Sequence, residues 1–363
     1  MNILVFIWRD IKNPEAGGSE IYFHELAKCW VKNGNKVTMI CGGWKACKKV
    51  ETIDGIRIIR VGNYLTTYLR APFEYFKIAK NIDVIIDVEN GIPFFAPLFS
   101  KKKKFLHIHH VHKDVWFKEK NIFVALVGYI LENKLMPIVY KNTGVITISK
   151  SSKEEIIEEK ISKNVVGIVN PGIKFYDYKK QKKNKNPTIL FLNRVKKYKG
   201  LKIMLDAVKE IQKINEIKNL EVFVGGEGEY LQEMKDYTKK ENLKNVFFLG
   251  KISEEKKKEI MQKSWIFINS SFKEGWGIVN IEANYFGTPV IGSNVGGIKD
   301  SVIDGKTGLL FEYGNYKELA RKITLLIKDK KLREKLEKGA KNWGSNFSWD
   351  KKAEEYLKIL KRY

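Results

Sequence analysis

A chain of 363 residues is long for one hydrophobic core, so two domains are expected. Its apolar fraction of 44% is that of a soluble globular protein. Lysine and arginine (67) exceed aspartate and glutamate (42) by 25, which suits anionic substrates, lipid surfaces or nucleic acid; but 59 of the 67 are lysines spread over both halves, a compositional bias that explains the charge at least as well, and no nucleic-acid recognition motif accompanies it.

The chain opens on a strand, Ile3 to Ile7, with no basic-then-apolar signal segment before it. A loop containing Gly17-Gly18 follows, then a helix with Ile21, Leu26 and Trp30 among its apolar positions, then a strand from Lys36 to Cys41. Strand, glycine loop, helix, strand is a βαβ unit, and such a unit implies a parallel sheet with ligands at the strand carboxyl ends. Gly17-Gly18 lacks the spacing and acidic partner of a dinucleotide fingerprint, so a nicotinamide dehydrogenase is disfavoured. Strands at 56–61, 84–88 and 104–109 continue the sheet, and 145–149 leads into a helix whose capping-type start is Ser151 to Glu155. A short strand at 165–169 ends at Asn170-Pro171-Gly172.

Four of the five histidines fall at or after the strand 104–109: His107, His109, His110 and His112. A metal would need more than imidazoles in one loop, and no cysteine pair or His-Glu-x-x-His completes such a site, so no metal is expected. His107 alternates into the sheet and reads as packed, whereas His109 stands at the sheet's ligand end. His110 and His112 are open between ligand contact and loop structure. The three cysteines lack a disulfide or zinc spacing, which fits a reducing cytoplasm. The longest apolar run, Ile122 to Leu131, is too short to span a bilayer. With Trp116 to Lys120 before it, that run forms either an apolar-faced helix resting on an anionic membrane or a buried helix. A cytoplasmic protein is expected, peripheral on the inner face of the membrane at most.

Residues 174–187 are lysine-rich and without periodicity, and the α/β pattern then restarts. Strands at 188–192, 220–224, 246–249, 265–269 and 289–292 alternate with helices, the first at 200–214, and a helix at 348–360 ends the chain with Ser348 as its cap. The domain organisation is therefore 1–168, a linker at 169–187, 188–346, and a final helix within 347–363. Arg194 and Lys199 lie in the loop opening the second domain's first helix, where a guanidinium and an ammonium could clamp a diphosphate; a solvated basic loop is the bland alternative. Gly226, in Gly225-Gly226-Glu227-Gly228, suits either a phosphate or a sharp turn. The most informative stretch is Ser270 to Glu282. Gly275 and Gly277 permit close backbone approach, a helix start offers its amides, and Glu274 and Glu282 lie eight apart. The ligand that geometry suits carries phosphate in the middle and hydroxyls at both ends, as a nucleotide-sugar does; two ordinary surface carboxylates at a strand–helix turn fit the spacing equally well.

Taken together these residues resemble the family-4 retaining glycosyltransferases of GT-B fold, two Rossmann-like doubly wound domains facing a central cleft. The carrying string is Glu274-Gly-Trp-Gly-Ile-Val-Asn-Ile-Glu282, joined by Gly287 to Gly297, Asp304 to Phe311, Arg194 with Lys199-Gly200, and Gly17-Gly18 with His109. The resemblance implies retaining transfer of a hexose-type sugar from a nucleotide diphosphate sugar (UDP-linked favoured, GDP-mannose second) to a glycan or lipid-linked acceptor, without cofactor or metal. Glu282 would bind the ribose, Glu274 the donor sugar's hydroxyls, and backbone at Gly277, Ile278 and Val279 the sugar and diphosphate, with Gly275 and Trp276 also at the donor. Arg194 and Lys199 would hold the diphosphate, with Gly17, Gly18 and Gly226 beside the donor and the main chain at Lys251-Ile252 on the base. His109 would face the sugar or the acceptor, and Asn90, His110 and His112 the acceptor. The final helix would cross back to the first domain. Asn193, Val279, Asp300 and Trp276 depart from the family's usual glycine, proline, glutamate and phenylalanine, but none of these removes a charged contact. The rival readings are a nucleotide-sugar 2-epimerase of the same fold and a non-catalytic binding partner.

Overall fold

A computed structural model describes residues 1–63, 66–111, 122–179, 181–213 and 217–363. The chain divides into two compact units, residues 1–172 with 349–363 and residues 173–348. In the first unit the strands are β1 (Asn2–Phe6), β2 (Lys36–Gly42), β3 (Val50–Ile53), β4 (Ile56–Val61), β5 (Val84–Glu89), β6 (Lys103–Ile108), β7 (Gly144–Thr147) and β8 (Val165–Ile168). They form one sheet in the order β3-β4-β2-β1-β5-β6-β7-β8, parallel throughout except for the β3–β4 pair. Leu4 sits opposite Thr38 on one side and Ile85 on the other. Central strands such as Val84–Glu89 are buried at every position, as expected where helices cover both faces of a parallel sheet. β3 is an edge hairpin turned at Asp54-Gly55, both left-handed (φ +49° and +79°), the Asp-Gly geometry of a two-residue turn.

The helices here are α1 (Gly18–Lys32), α2 (Thr67–Ile78), α3 (Ile122–Ile130), α4 (Met136–Val139) and α5 (Lys150–Glu158). In α1 Leu26 and Trp30 are buried, whereas Ile21 is 44% exposed. The cap of α5 is Ser149, whose Oγ accepts the Ser152 N–H at 3.1 Å; Ser151 and Ser152 lie inside the first turn rather than opening it.

The second unit holds β9 (Thr188–Leu192), β10 (Glu221–Gly225), β11 (Val246–Gly250), β12 (Ile266–Asn269), β13 (Val290–Ser293) and β14 (Gly308–Phe311), all parallel, in the order β11-β10-β9-β12-β13-β14. Its helices are α6 (Leu201–Gln212), α7 (Leu231–Lys240), α8 (Glu254–Lys263), α9 (Ile278–Tyr285), α10 (Gly296–Ser301), α11 (Tyr316–Lys328) and α12 (Lys330–Gly344). The strand order reverses direction between β9 and β12, so the loops leaving these two neighbours diverge and open a crevice at their carboxyl ends. In the first unit the same reversal lies between β1 and β5.

The segment 173–178 packs on the second unit: Phe175 stacks on Tyr285 at 4.8 Å and Tyr178 meets Phe286 at 4.9 Å. The last helix, α13 (Trp349–Arg362), packs in the first unit. Its Ala353 carbonyl accepts the Trp30 indole N–H at 3.1 Å, and the Tyr356 hydroxyl lies 3.1 Å from His107 Nδ1. Tyr356 and His107 are fully buried, and burial, reinforced by His109, holds the His107 imidazole well below its ordinary pKa and so neutral. Tyr356→Ala empties this pocket. It should destabilise the protein by about 3–5 kcal/mol in urea unfolding; a loss under about 1 kcal/mol would show that the last helix is not part of the core.

Candidate functional site

The second unit's crevice begins with a buried polar ladder. β12 runs out into Asn269, Ser270 and Ser271, all fully buried. Asn269 Nδ2 donates to Asn280 Oδ1 (2.9 Å), Asn280 Nδ2 to Ser301 Oγ (2.9 Å), and Ser271 Oγ to Asn269 Oδ1 (2.8 Å). Satisfied in this way, the side chains fix where α9 starts. Gly277 takes a left-handed turn there (φ +82°), and a Cβ would lie 2.7 Å from Asn280 Nδ2. No side chain caps α9, so the amides of its first turn are not spent on a cap.

The loop after β9 is clasped to this one through its backbone carbonyls. Phe272 N–H donates to Tyr198 O at 2.7 Å and Ser270 Oγ to Gly200 O at 2.9 Å. Gly200 is left-handed (φ +72°), and a Cβ there would lie 2.0 Å from Ser270 O. The clasp carries Lys199, 8% exposed, into an ion pair with Glu274, whose same oxygen also accepts from Ser271 Oγ (3.3 Å). The Glu274 backbone is held by Gly297, whose N–H donates to Glu274 O at 2.8 Å.

A cavity of about 300 Å³ adjoins this loop pair, lined by Asn193, Arg194, Gly226, Lys251, Ile252, Val279 and Glu282, with Leu192, Glu227 and Lys257. Six residues expected from the sequence thus meet at one cavity: Arg194, Gly226, Lys251, Ile252, Val279 and Glu282. The fold alone accounts for the glycine at 226 (φ +122°), since a Cβ would lie 1.8 Å from Asn193 O. Lys257 escapes sequence reasoning, because one lysine among 59 carries no signal. Its Nζ lies 2.9 Å from Glu282 Oε1 and 3.0 Å from Glu254 Oε1. Burial raises the Glu282 carboxyl above its ordinary pKa, opposed by Lys257. Burial lowers Lys257, but the two carboxylates outweigh it and leave its pKa raised. Trp276 is 4% exposed, with its ring packed on Phe347 at 5.6 Å, which leaves its backbone as the part a ligand could meet.

In the first unit Glu20 gathers the residues at the β1–β5 reversal. It accepts the Gly17 N–H at 2.7 Å and the Asn90 amide at 3.5 Å, and pairs with Arg9 at 3.4 Å. A Cβ at Gly18 would meet no atom within 4 Å, so the fold itself does not demand glycine there. His109 is 9% exposed, with Nε2 2.8 Å from Ser19 Oγ and its ring 4.6 Å from that of His107. His110 is half-buried, and His112 lies outside the described residues, as do Trp116 to Lys120. Among the described residues no group of three or more His, Cys, Asp or Glu is placed to hold a metal ion.

A model of the glycosyl transferases group 1 family matches residues 173–343, and one of glycosyltransferase family 4 matches residues 16–175. An uncharacterized glycosyltransferase of Methanocaldococcus jannaschii is 30% identical over 280 residues, which cover 74% of this chain and 70% of that protein. A capsular polysaccharide biosynthesis glycosyltransferase of Staphylococcus aureus is 30% identical over 261 residues, 66% of this chain and 67% of its own. Among solved structures, Anabaena HepE in complex with UDP and glucose matches with a TM-score of 0.76 at 17% identity and full coverage of both chains (100% each).

The Lys257–Glu282 pair makes a pH-dependent expectation. A carboxyl whose folded pKa is raised contributes stability below its unfolded pKa, and loses that contribution as pH rises through the folded value. Lys257→Met removes the opposing cation and raises Glu282 further. The variant should match wild type in thermal unfolding near pH 4 and fall behind by about 1–3 kcal/mol near neutrality. A difference independent of pH would mean that Lys257 does not bear on Glu282.

Proposed function

The chain belongs to the family-4 glycosyltransferases of GT-B fold, and on that premise we propose that it moves a hexose-type sugar from a nucleotide diphosphate sugar, UDP-linked before GDP-linked, to a glycan or lipid-linked acceptor. The observation that carries the donor assignment is the cavity where Arg194, Lys251, Lys257 and Glu282 converge, at the carboxyl ends of β9, β10 and β11. Glu282 with Lys257 takes the ribose hydroxyls, and the backbone at Lys251-Ile252 takes the base. Arg194, Lys199 and the uncapped start of α9 take the diphosphate, and Glu274 the sugar hydroxyls. Lys199 then serves two ligands in turn. Paired with Glu274, it holds that carboxylate in place; facing a diphosphate, it offsets charge.

Transfer proceeds with retention. The bond from the donor's anomeric carbon to the β-phosphate oxygen breaks, and a bond to the acceptor oxygen forms on the same face. The acceptor's proton passes to the departing phosphate, and the nucleoside diphosphate leaves. Front-face attack of this kind dispenses with the carboxylate nucleophile that double displacement needs. The negative charge that grows on the leaving group is met by protein cations and helix amides, with no metal required in this reading. His109 keeps the role its motif implies, toward the sugar or the acceptor. The Staphylococcus relative's part in capsular polysaccharide synthesis supports an acceptor from the cell envelope or another glycoconjugate.

Membrane contact belongs to the same proposal. The helix α3 exposes Ile122 (64%), Leu126 (50%), Val127 (56%) and Ile130 (47%), and no helix among the described residues is long and apolar enough to cross a bilayer. A cytoplasmic enzyme resting on anionic lipid fits this helix and the net charge of +25. Co-sedimentation with anionic vesicles at low salt, lost at high salt, is the expected result. No association with such vesicles would remove the membrane from the account.

Glu274→Gln keeps the shape of the side chain and removes its charge. Its kcat/KM for sugar transfer should fall by about 10²–10³, with UDP still bound; a rate equal to wild type would withdraw Glu274 from the site.

A further inference from the structure

The first residues of the second unit, 173–178, are fastened to α9, the helix that carries Glu282. Tyr285, the last residue of α9, holds Tyr176 by its main chain on both sides. Its hydroxyl accepts the Tyr176 N–H at 3.1 Å and donates to the Tyr176 carbonyl at 3.0 Å. Phe175 lies on the Tyr285 ring, 17° from parallel, and the Tyr178 hydroxyl donates to the Tyr285 carbonyl at 3.3 Å. A segment held by main-chain hydrogen bonds and stacked rings has little freedom, and this fixes where the Tyr176 side chain leaves it.

That side chain reaches the ion pairs of the donor cavity. The Tyr176 hydroxyl donates to Glu254 Oε2 at 2.9 Å, and Glu254 Oε1 faces Lys257 Nζ at 3.0 Å. Lys257 Nζ in turn lies 2.9 Å from Glu282 Oε1, and both of these residues line the cavity. Tyr176, Glu254, Lys257 and Glu282 thus form one unbroken chain of charge-assisted contacts running from the segment to the cavity wall. Burial, with the Glu254 carboxylate beside it, pushes the Tyr176 hydroxyl up to about 12, so it keeps its proton and stays a donor at neutral pH. Lys258 and Lys174 lie over its ring at 4.5 and 5.3 Å from the centroid.

The loose member of the chain is Glu254, whose side chain is 59% exposed against 18% for Lys257 and 19% for Glu282. Burial does not hold a carboxylate so open to water. The Tyr176 hydroxyl on one of its oxygens does, and leaves the other for Lys257. Lys257 depends on this, because an ammonium on a flexible four-carbon stem takes its position from its partners. One carboxylate would leave Nζ free to swing about it, whereas a second, pinned by Tyr176, fixes it. We propose that Tyr176 is a positioning residue of the donor site, which through Glu254 keeps Lys257 beside Glu282 and so sets how strongly the ribose hydroxyls are recognised. The inference rests on the assignment of the ribose to Glu282 and Lys257.

The test compares UDP with 2′-deoxy-UDP by calorimetric titration into the full chain, since the two differ only in one ribose hydroxyl. Wild type should bind UDP about tenfold more tightly. Tyr176→Phe keeps the ring and removes the hydroxyl. It should weaken UDP by about three- to fivefold and leave 2′-deoxy-UDP within about twofold of wild type, so that the preference shrinks. Tyr178→Phe takes a hydroxyl from the same aromatic group without touching a charged side chain, and should keep the wild-type preference. The proposal is overturned if Tyr176→Phe keeps that preference, if it weakens both nucleotides alike, as a merely structural role would, or if Tyr178→Phe lowers the preference as far. Wild type that binds neither nucleotide, or binds both equally, strikes the ribose assignment itself and this inference with it, a result visible before any variant is made.

Discussion

The second unit depends on one contact between two loops. The chain leaving β9 and the chain leaving β12 are held together by Phe272 N–H on Tyr198 O and by Ser270 Oγ on Gly200 O, with no side chain separating them at Gly200. Hydrogen bonds of this kind are worth about 0.5–1.5 kcal/mol each, too little to stabilise a fold but enough to fix geometry. Their effect is positional. They bring Lys199 against Glu274 and leave both groups less than one-fifth exposed, so that neither charge is dissipated in bulk water. A ligand arriving at this place meets a cation and an anion already oriented, and the cost of ordering them has been met in folding.

Two cavities, one in each unit, differ in how they treat charge. In the second unit Lys257 lies between Glu282 and Glu254 while Arg194, Lys251 and Glu227 stand on the same wall, so that separate cations and carboxylates line one cavity. In the first unit, on the wall of a cavity that Trp8 and Trp44 also line, Arg9 and Glu15 cancel, and the buried Asp10–Arg60 pair is turned to supporting the Trp44 indole.

Much of this was legible in the sequence, for identifiable reasons. Apolar runs such as Thr188–Leu192 and Ile56–Val61 became strands within those limits because a parallel sheet buries both faces and writes itself as unbroken hydrophobicity. The string from Glu274 to Glu282 was readable through its resemblance to a family signature, since its glycines and carboxylates alone fit an ordinary strand–helix turn as well. The short strands were not. β3 (Val-Glu-Thr-Ile) has no apolar run, and β14 is only Gly-Leu-Leu-Phe, its glycine set by the 1.9 Å that a Cβ would leave to Val290 O. The packing of the Trp276 ring on Phe347 was not legible either, because it depends on a residue far along the chain. Lys257, the Glu20–Asn90 contact and the Trp8–Trp44 cavity share that limit: each arises from packing between segments distant in sequence, which periodicity cannot register.

The central claim is that the second unit binds a nucleotide diphosphate sugar through its own cations and helix amides. Calorimetric titration of UDP and UDP-glucose into the intact protein, with a chelator present throughout, addresses it directly. The account predicts saturable binding at one site per chain, weakened by rising salt and greatly reduced in Glu282→Ala. No binding by UDP or by GDP, or binding that appears only when a divalent cation is restored, would contradict it.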